Sequence, residues 1–305
     1  MAVICGERSL RIAVVSEDDP LWALWTWERS IPALKARGHT ISGLWTCPPV
    51  LARLRGRHIP RWYLNTFGVS TFVKLAAFST LARLVRSLRS VRGRASASFQ
   101  ALAQAEGIPY RETRSPNTPE LCDWLRATEI DVLVITVGYI LKEPLLSAPR
   151  LGIINKHAAL LPGHKGLLPY FWARLHGQPQ GISFHRVIQG IDDGPVLYQE
   201  EVAPEAQGAS MISFYLHVFG RFPALLTAAI DNLRSSCSVP YRPEITPSYF
   251  GLPTRQDTLR FFEVGGQVIT WHDVAQAVSL SRAVEPHLTP LTGFGSPTAD
   301  PEAPA

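Results

Sequence analysis

Three side chains near the middle of the sequence can share one reaction. Asn155 and His157 are separated by a single residue, and Asp192 sits in the loop Gly190-Ile191-Asp192-Asp193-Gly194. In an extended segment, alternate residues point to the same face, so the Asn155 amide and the His157 imidazole converge. A carboxylate brought to His157 fixes the orientation of its ring and raises its pKa, and a primary amide donates to an oxyanion as it develops. Together the three groups suit acyl transfer to an amine. A histidine at a strand end serves packing as often as it serves catalysis, so on residue types alone both readings stay open.

These residues need a scaffold that brings them together. Leu10 to Ser16 reads as a buried strand, a helix follows over Leu24 to Arg37 and closes at Gly38, and His39 to Trp45 reads as a second strand. The rhythm repeats with a helix over residues 95–105 before a strand at Ile108 to Tyr110, and a helix over Pro119 to Thr128 before the strand Asp131 to Val137. A short helix around Glu143 to Ala148 leads to the strand Leu151 to Asn155, and strands at Gly181 to Val187 and Pro195 to Val202 precede a long helix from Met211 to Leu233. Strands alternating with helices predict an α/β fold whose mostly parallel sheet carries helices on both faces. Ligands of such sheets bind beyond the carboxyl ends of the strands, where Asn155 and His157 fall.

Composition narrows the class. At 305 residues and 46% hydrophobic, the chain can bury a sizeable core. The N-terminal stretch has no apolar run like that of a signal peptide, which predicts a cytoplasmic protein. Cys5, Cys47, Cys122 and Cys237 are scattered, and His157, His164, His176 and His185 have no metal-ligand spacing, so the expectation is reduced thiols and no metal. No Gly-rich phosphate loop follows the first strand, which argues against nucleotide-driven phosphoryl transfer and nicotinamide chemistry. The acids Glu17, Asp18 and Asp19 after that strand either meet substrate or cap the next helix.

The net charge of +5 is unevenly distributed. From Pro48 to Ala105 there is no Asp or Glu, but there are ten Lys or Arg residues. Residues 48–94 also exceed an ordinary strand-to-helix connection and read as a helical basic insertion. Within it, Phe72, Leu75, Ala76, Phe78, Leu81, Leu84, Val85 and Leu88 fall on a helical period, and Arg83, Arg86, Arg89 and Arg92 recur at every third position, predicting an amphipathic helix with a basic face. Such a patch suits a nucleotide diphosphate, RNA or an acidic membrane surface, or it is a solvated face with no ligand. Peripheral membrane contact would run through residues 68–92; Lys74 and Arg83 leave too short an uncharged stretch for a membrane span.

From Leu151 onward the pattern becomes specific. Asn155-Lys156-His157, Leu160-Leu161-Pro162, Lys165-Gly166 and Ile191-Asp192-Asp193-Gly194 stand in order at compatible separations. The segment resembles the 10-formyltetrahydrofolate-dependent formyltransferase family, which includes methionyl-tRNA formyltransferase, glycinamide ribonucleotide formyltransferase and the sugar N-formyltransferases. The resemblance covers roughly residues 10–205 outside the insertion and implies a Rossmann-like catalytic domain there; beyond it the long helix predicts a helical extension over 206–280, and the Pro-, Thr-, Ala- and Gly-rich end predicts a disordered tail over 281–305. It implies that Asn155 stabilises the oxyanion, His157 handles protons or polarises the formyl group, and Asp192 orients His157 and assists proton removal. The pterin of 10-formyltetrahydrofolate would lie between a loop holding Gly138, Tyr139, Ile140 and Leu141 and a second holding Gln189, Gly190 and Ile191. Ala159 and Lys165 depart from the Ser and Arg that many members have, which bears on contacts with the amine, because Lys lacks the bidentate fork of Arg.

The acceptor expected from this reading is a small-molecule amine, most plausibly the amino group of a nucleotide-linked sugar, with Lys165 and Trp172 as candidate contacts and the basic insertion receiving a diphosphate. An alternative is methionyl-tRNA formyltransferase; no C-terminal tRNA-binding barrel is apparent after residue 205, which disfavours a nucleic-acid partner. Hydrolysis of formyl-folate by the same residues is a third enzymatic reading. A non-catalytic folate-binding protein or a membrane-associated scaffold is the reading from another class. The oligomeric state is not legible.

Overall fold

The computed structural model describes residues 9–19, 21–203, 210–240 and 244–277. The disordered tail expected over 281–305 and Cys5 lie outside them. Seven strands form the main sheet: β1 (Arg11–Glu17), β2 (Thr40–Cys47), β5 (Tyr110–Glu112), β6 (Val132–Thr136), β7 (Gly152–His157), β9 (Gly181–Arg186) and β10 (Val196–Glu201). Two short pairs stand apart from it, β3 (Val50–Leu51) with β4 (Leu54–Arg55), and β8 (Lys165–Gly166) with β11 (Tyr249–Phe250).

The sheet order is β10-β9-β7-β6-β1-β2-β5. Its pairs from β5 to β7 are parallel, whereas β9 and β10 run antiparallel at one edge, as a mostly parallel α/β sheet allows. The chain winds outward from β1 in both directions, which opens a crevice beyond the carboxyl ends of β1, β6 and β7.

Alternation along the strands divides the core. Ile12 and Val14 of β1 face one layer with α1 (Trp22–Ala36), α3 (Phe99–Glu106) and α6 (Met211–Arg234). Ala13 and Val15 face the other, with α4 (Pro119–Ala127). On the first side, α5 (Pro169–Leu175) and α7 (Arg255–Glu263) meet through Phe171 and Phe261, whose rings stack with centroids 4.4 Å apart.

Local sequence explains the element ends. The Asp19 carboxylate accepts from Leu21 N and Trp22 N at 2.9 and 3.1 Å and so caps the start of α1, while also lining the cavity described below. Ser98 caps α3, whose first residue is Phe99; residues 95–98 therefore lie outside the helix expected from residue 95. The helix expected around Glu143 to Ala148 is absent. Pro144 and Pro149 bracket too few residues for successive helical bonds, and the segment forms turns closed by Leu145 N and Leu146 N to Lys142 O.

The insertion is dominated by α2 (His58–Val91), kinked at Gly68, where φ is +83°. Its arginines do not form one face. Steps of three residues drift around a helix, and Arg86 turns inward, where its guanidinium pairs with Glu28 at 2.9 Å and donates to Ser96 O at 3.0 Å. The apolar residues also divide. Phe78 is buried beside Trp22, whereas Leu84 and Leu88 are 55% and 53% exposed. By length and composition alone, α2 is long and apolar enough to cross a membrane. A short helix, α8 (Trp271–Gln276), packs against α2.

Candidate active site

Asn155 and His157 occupy the last turns of the pleat of β7 and share a face, as alternate strand residues must. Antiparallel pairing with β9 sets His185 opposite Asn155 and Ser183 opposite His157. Asp192 reaches the pair from the β9–β10 loop, its backbone in the left-handed region at φ +50°. Its Oδ2 stands 3.4 Å from His157 Nδ1, and its Oδ1 stands 3.4 Å from His185 Nε2. His185 Nε2 is also 3.4 Å from the Asn155 amide nitrogen, so it stands beside both groups: protonated it donates to Asp192, and unprotonated it accepts from the Asn155 amide.

Asp192 is held from behind as well. The backbone N–H of Gly166 donates to its Oδ2 at 2.9 Å. Gly166 adopts φ +95°, and a Cβ there would collide with the Phe250 carbonyl, so only glycine permits this approach. Lys165 pairs with Asp193, fastening the same two loops one residue further along.

Electrostatics sets the protonation states. Burial alone would raise the Asp192 pKa, but His157, His185 and the Gly166 N–H outweigh it and hold the carboxyl down at about 2. Burial pushes His157 below the ordinary imidazole value, partly opposed by Asp192 and by the His164 carbonyl, which lies 2.8 Å from Nε2. Both nitrogens of His157 thus face acceptors. A neutral ring protonates one of them and leaves the other able to take a proton, with Asp192 ionised beside it.

These residues line one cavity of about 1400 Å³. Glu17, at the end of β1, frames it by accepting from Gly138 N at 2.8 Å and Val50 N at 3.0 Å, which fixes the loop after β6. Gly138, Tyr139, Ile140 and Leu141 line the cavity, as do Gly190 and Ile191 on the opposite loop; Gln189 is exposed outside it, and Ile188 takes its place on the wall. Ile140, Ile188 and Ile191 are 64%, 40% and 38% exposed, an apolar pair of jaws suited to a flat heteroaromatic ring. Arg53, Arg55 and Arg83 line the cavity from the acid-free segment. Trp172 does not. It is 8% exposed, donates from Nε1 to Gly251 O at 3.1 Å and stacks on Phe250 in the core. Lys165 stands at the loop junction, engaged by Asp193.

Sequence reasoning missed His185, which it treated as one of several unattached histidines. A signal was present. In β9, Ile182 and Phe184 alternate with Ser183 and His185, so an interior strand carries a polar face towards its neighbour.

Residues 85–210 match the family described as formyl transferase. The methionyl-tRNA formyltransferase of Sorangium cellulosum is 40% identical over 92 residues, 30% of each chain. That of Trichlorobacter lovleyi is 32% identical over 141 residues, 46% of this chain and 44% of its own. The chain spans less than half the length of these curated relatives. Among solved structures, the N-formyltransferase from Helicobacter canadensis, in complex with folinic acid and dTDP-3-aminofucose, is 14% identical with a TM-score of 0.49, covering 81% of this chain and 72% of that one. In sequence, residues 85–210 of the chain are thus similar to the formyl transferase family.

Proposed function

We propose that the chain transfers the formyl group of 10-formyltetrahydrofolate to a primary amine, and that the acceptor is the amino group of a nucleotide-linked sugar. The observation that carries this reading is the joining of two chemistries in one cavity: Asn155, His157 and Asp192 at one side, and Arg53, Arg55 and Arg83 at another. The first set serves acyl transfer, and the second suits a diphosphate.

In this reading the Ile140 and Ile188–Ile191 jaws hold the pterin, and the Asn155 amide donates to the formyl oxygen as it gains charge. The amine nitrogen forms the new bond to the formyl carbon, and the carbon's bond to N10 of the folate breaks. His157 and Asp192 hold the proton that leaves the amine until N10 of the departing folate takes it up. Atoms and charge balance without a metal or a redox partner.

A second reading, methionyl-tRNA as acceptor, rests on the curated relatives, which carry that name. Incubation with 10-formyltetrahydrofolate and separate UDP- and dTDP-linked amino sugars, amino acids and methionyl-tRNA distinguishes the two, with the formamide product followed by mass spectrometry. Formylation of an amino sugar that fails with Asp192→Asn supports the first. Formylation of methionyl-tRNA alone establishes the second, and tetrahydrofolate release without any formamide points to hydrolysis.

A further inference from the structure

We propose that the outer face of α2 docks on an anionic membrane surface, lying in the headgroup layer rather than crossing the bilayer. Val69, Val73, Leu84, Leu88 and Val91 are 68%, 49%, 55%, 53% and 89% exposed. Their separations of four, eleven, four and three residues all return to the same side of a helix, so they form one aliphatic stripe running most of its length. No described residue covers it. Single exposed aliphatic residues are ordinary on a soluble protein, but a stripe of five on one helix marks a binding surface.

The other side of α2 is occupied. Phe78, Ala82 and Arg86 are buried against the domain, and Arg86 is tied to Glu28. A spanning helix must offer its whole circumference to lipid or to other spans, whereas one side of α2 packs on the domain through Phe78, Ala82 and Arg86, which places it along the bilayer surface.

Charge selects the partner. Arg92 and Arg94 are exposed beyond the end of the stripe, Arg57 and Arg61 are exposed at the start of the helix, and no acid interrupts residues 48–105. Aliphatic residues flanked by arginines fit acyl chains beneath anionic headgroups, because the long side chains reach up to the phosphates while the valines and leucines sink. A second copy of the chain would set these arginines against one another, and RNA would gain nothing from the aliphatic stripe.

The proposal does not depend on the acceptor, and its test is separate from catalysis. The full chain is floated with vesicles of phosphatidylcholine alone and with vesicles containing phosphatidylglycerol, at low and high salt. Preferential flotation with the anionic vesicles, weakened by salt, is expected. The double variant Leu84→Glu/Leu88→Glu should lose on the order of tenfold or more in partitioning, and Arg92→Gln/Arg94→Gln should lose most of the preference for anionic over neutral lipid, roughly fivefold for each arginine removed. All four positions are exposed, and circular dichroism together with thermal unfolding verifies the fold. Absence of flotation, equal flotation with neutral vesicles, or flotation unchanged by the Leu84/Leu88 variant overturns the proposal. So does a solution dimer, seen by sedimentation velocity, that the same variant dissociates.

Discussion

His185 Nε2 lies 3.4 Å from Asp192 Oδ1, matching the 3.4 Å between His157 Nδ1 and the other oxygen of the same carboxylate. Asp192 therefore sits in a fork of two imidazoles, and His185 is a positioning residue for it. His185→Ala is expected to lower kcat by roughly tenfold to a hundredfold, with little change in KM for the folate donor. His185→Gln, which restores a donor to Oδ1, should recover part of the loss. Steady-state kinetics on both variants decides the matter, and a change confined to stability with kcat intact would remove His185 from the site.

The same fork makes folding sensitive to acid. The Asp192 carboxyl is held at about 2 against an ordinary 3.8, so the folded state binds its proton less readily than the unfolded chain does. The resulting stabilisation, about 2 kcal/mol, is present above pH 3.8 and is lost as pH falls towards 2. Urea titrations between pH 6 and pH 3 should show a stability drop in the native protein that Asp192→Asn reduces by about 1 kcal/mol, the part of this stabilisation already lost at pH 3. His157 acts in the same direction higher up. Its folded pKa lies below 6.5, so its contribution is complete above that value and diminishes as pH falls through the folded pKa.

Much of this arrangement is legible in the amino-acid sequence. The spacing of Asn155 and His157 fixes their common face, and the alternation of strands and helices places that face at the ligand-binding edge, because both follow from backbone periodicity alone. His185 was hidden because its partner lies thirty residues away across an antiparallel pair, and register is not a local property. Trp172 was drawn towards the substrate by its neighbours in sequence, while in space it belongs to the stack with Phe250 and His176. The arginines of α2 misled for a geometric reason: a three-residue repeat resembles a helical period, yet it rotates Arg86 into the core.

Gly166 is expected to be intolerant of even the smallest side chain. Gly166→Ala must place a Cβ against the Phe250 carbonyl at φ +95°, and relief requires β8 to withdraw from β11 or the N–H to leave Asp192. A loss of about 1–3 kcal/mol in stability is expected, together with a fall in kcat larger than Lys165→Ala produces. Thermal unfolding and kinetics on the two variants separate backbone strain from the loss of the Lys165–Asp193 pair.

Lys156, between the two reactive residues of β7, supplies a last test. Its side chain leaves the face of Asn155 and His157, and its ammonium lies 4.2 Å from the centre of the Phe219 ring and 6.0 Å from that of Tyr215, on the wall of the cavity. Burial lowers its pKa from 10.5 to about 8, against the pull of the Asp192 charge. Aromatic faces attract a cation but do not neutralise it, so an anionic group of the acceptor entering the cavity would find an opposite charge there. The cation exists below about pH 8 and is lost above it, so KM for a nucleotide-linked acceptor should rise with pH through that value while KM for the folate donor follows a different profile. Lys156→Met should raise the acceptor KM by about tenfold at neutral pH and flatten this dependence. An acceptor KM unaltered by Lys156→Met at every pH would mean that the ammonium serves only the packing of β7 against α6.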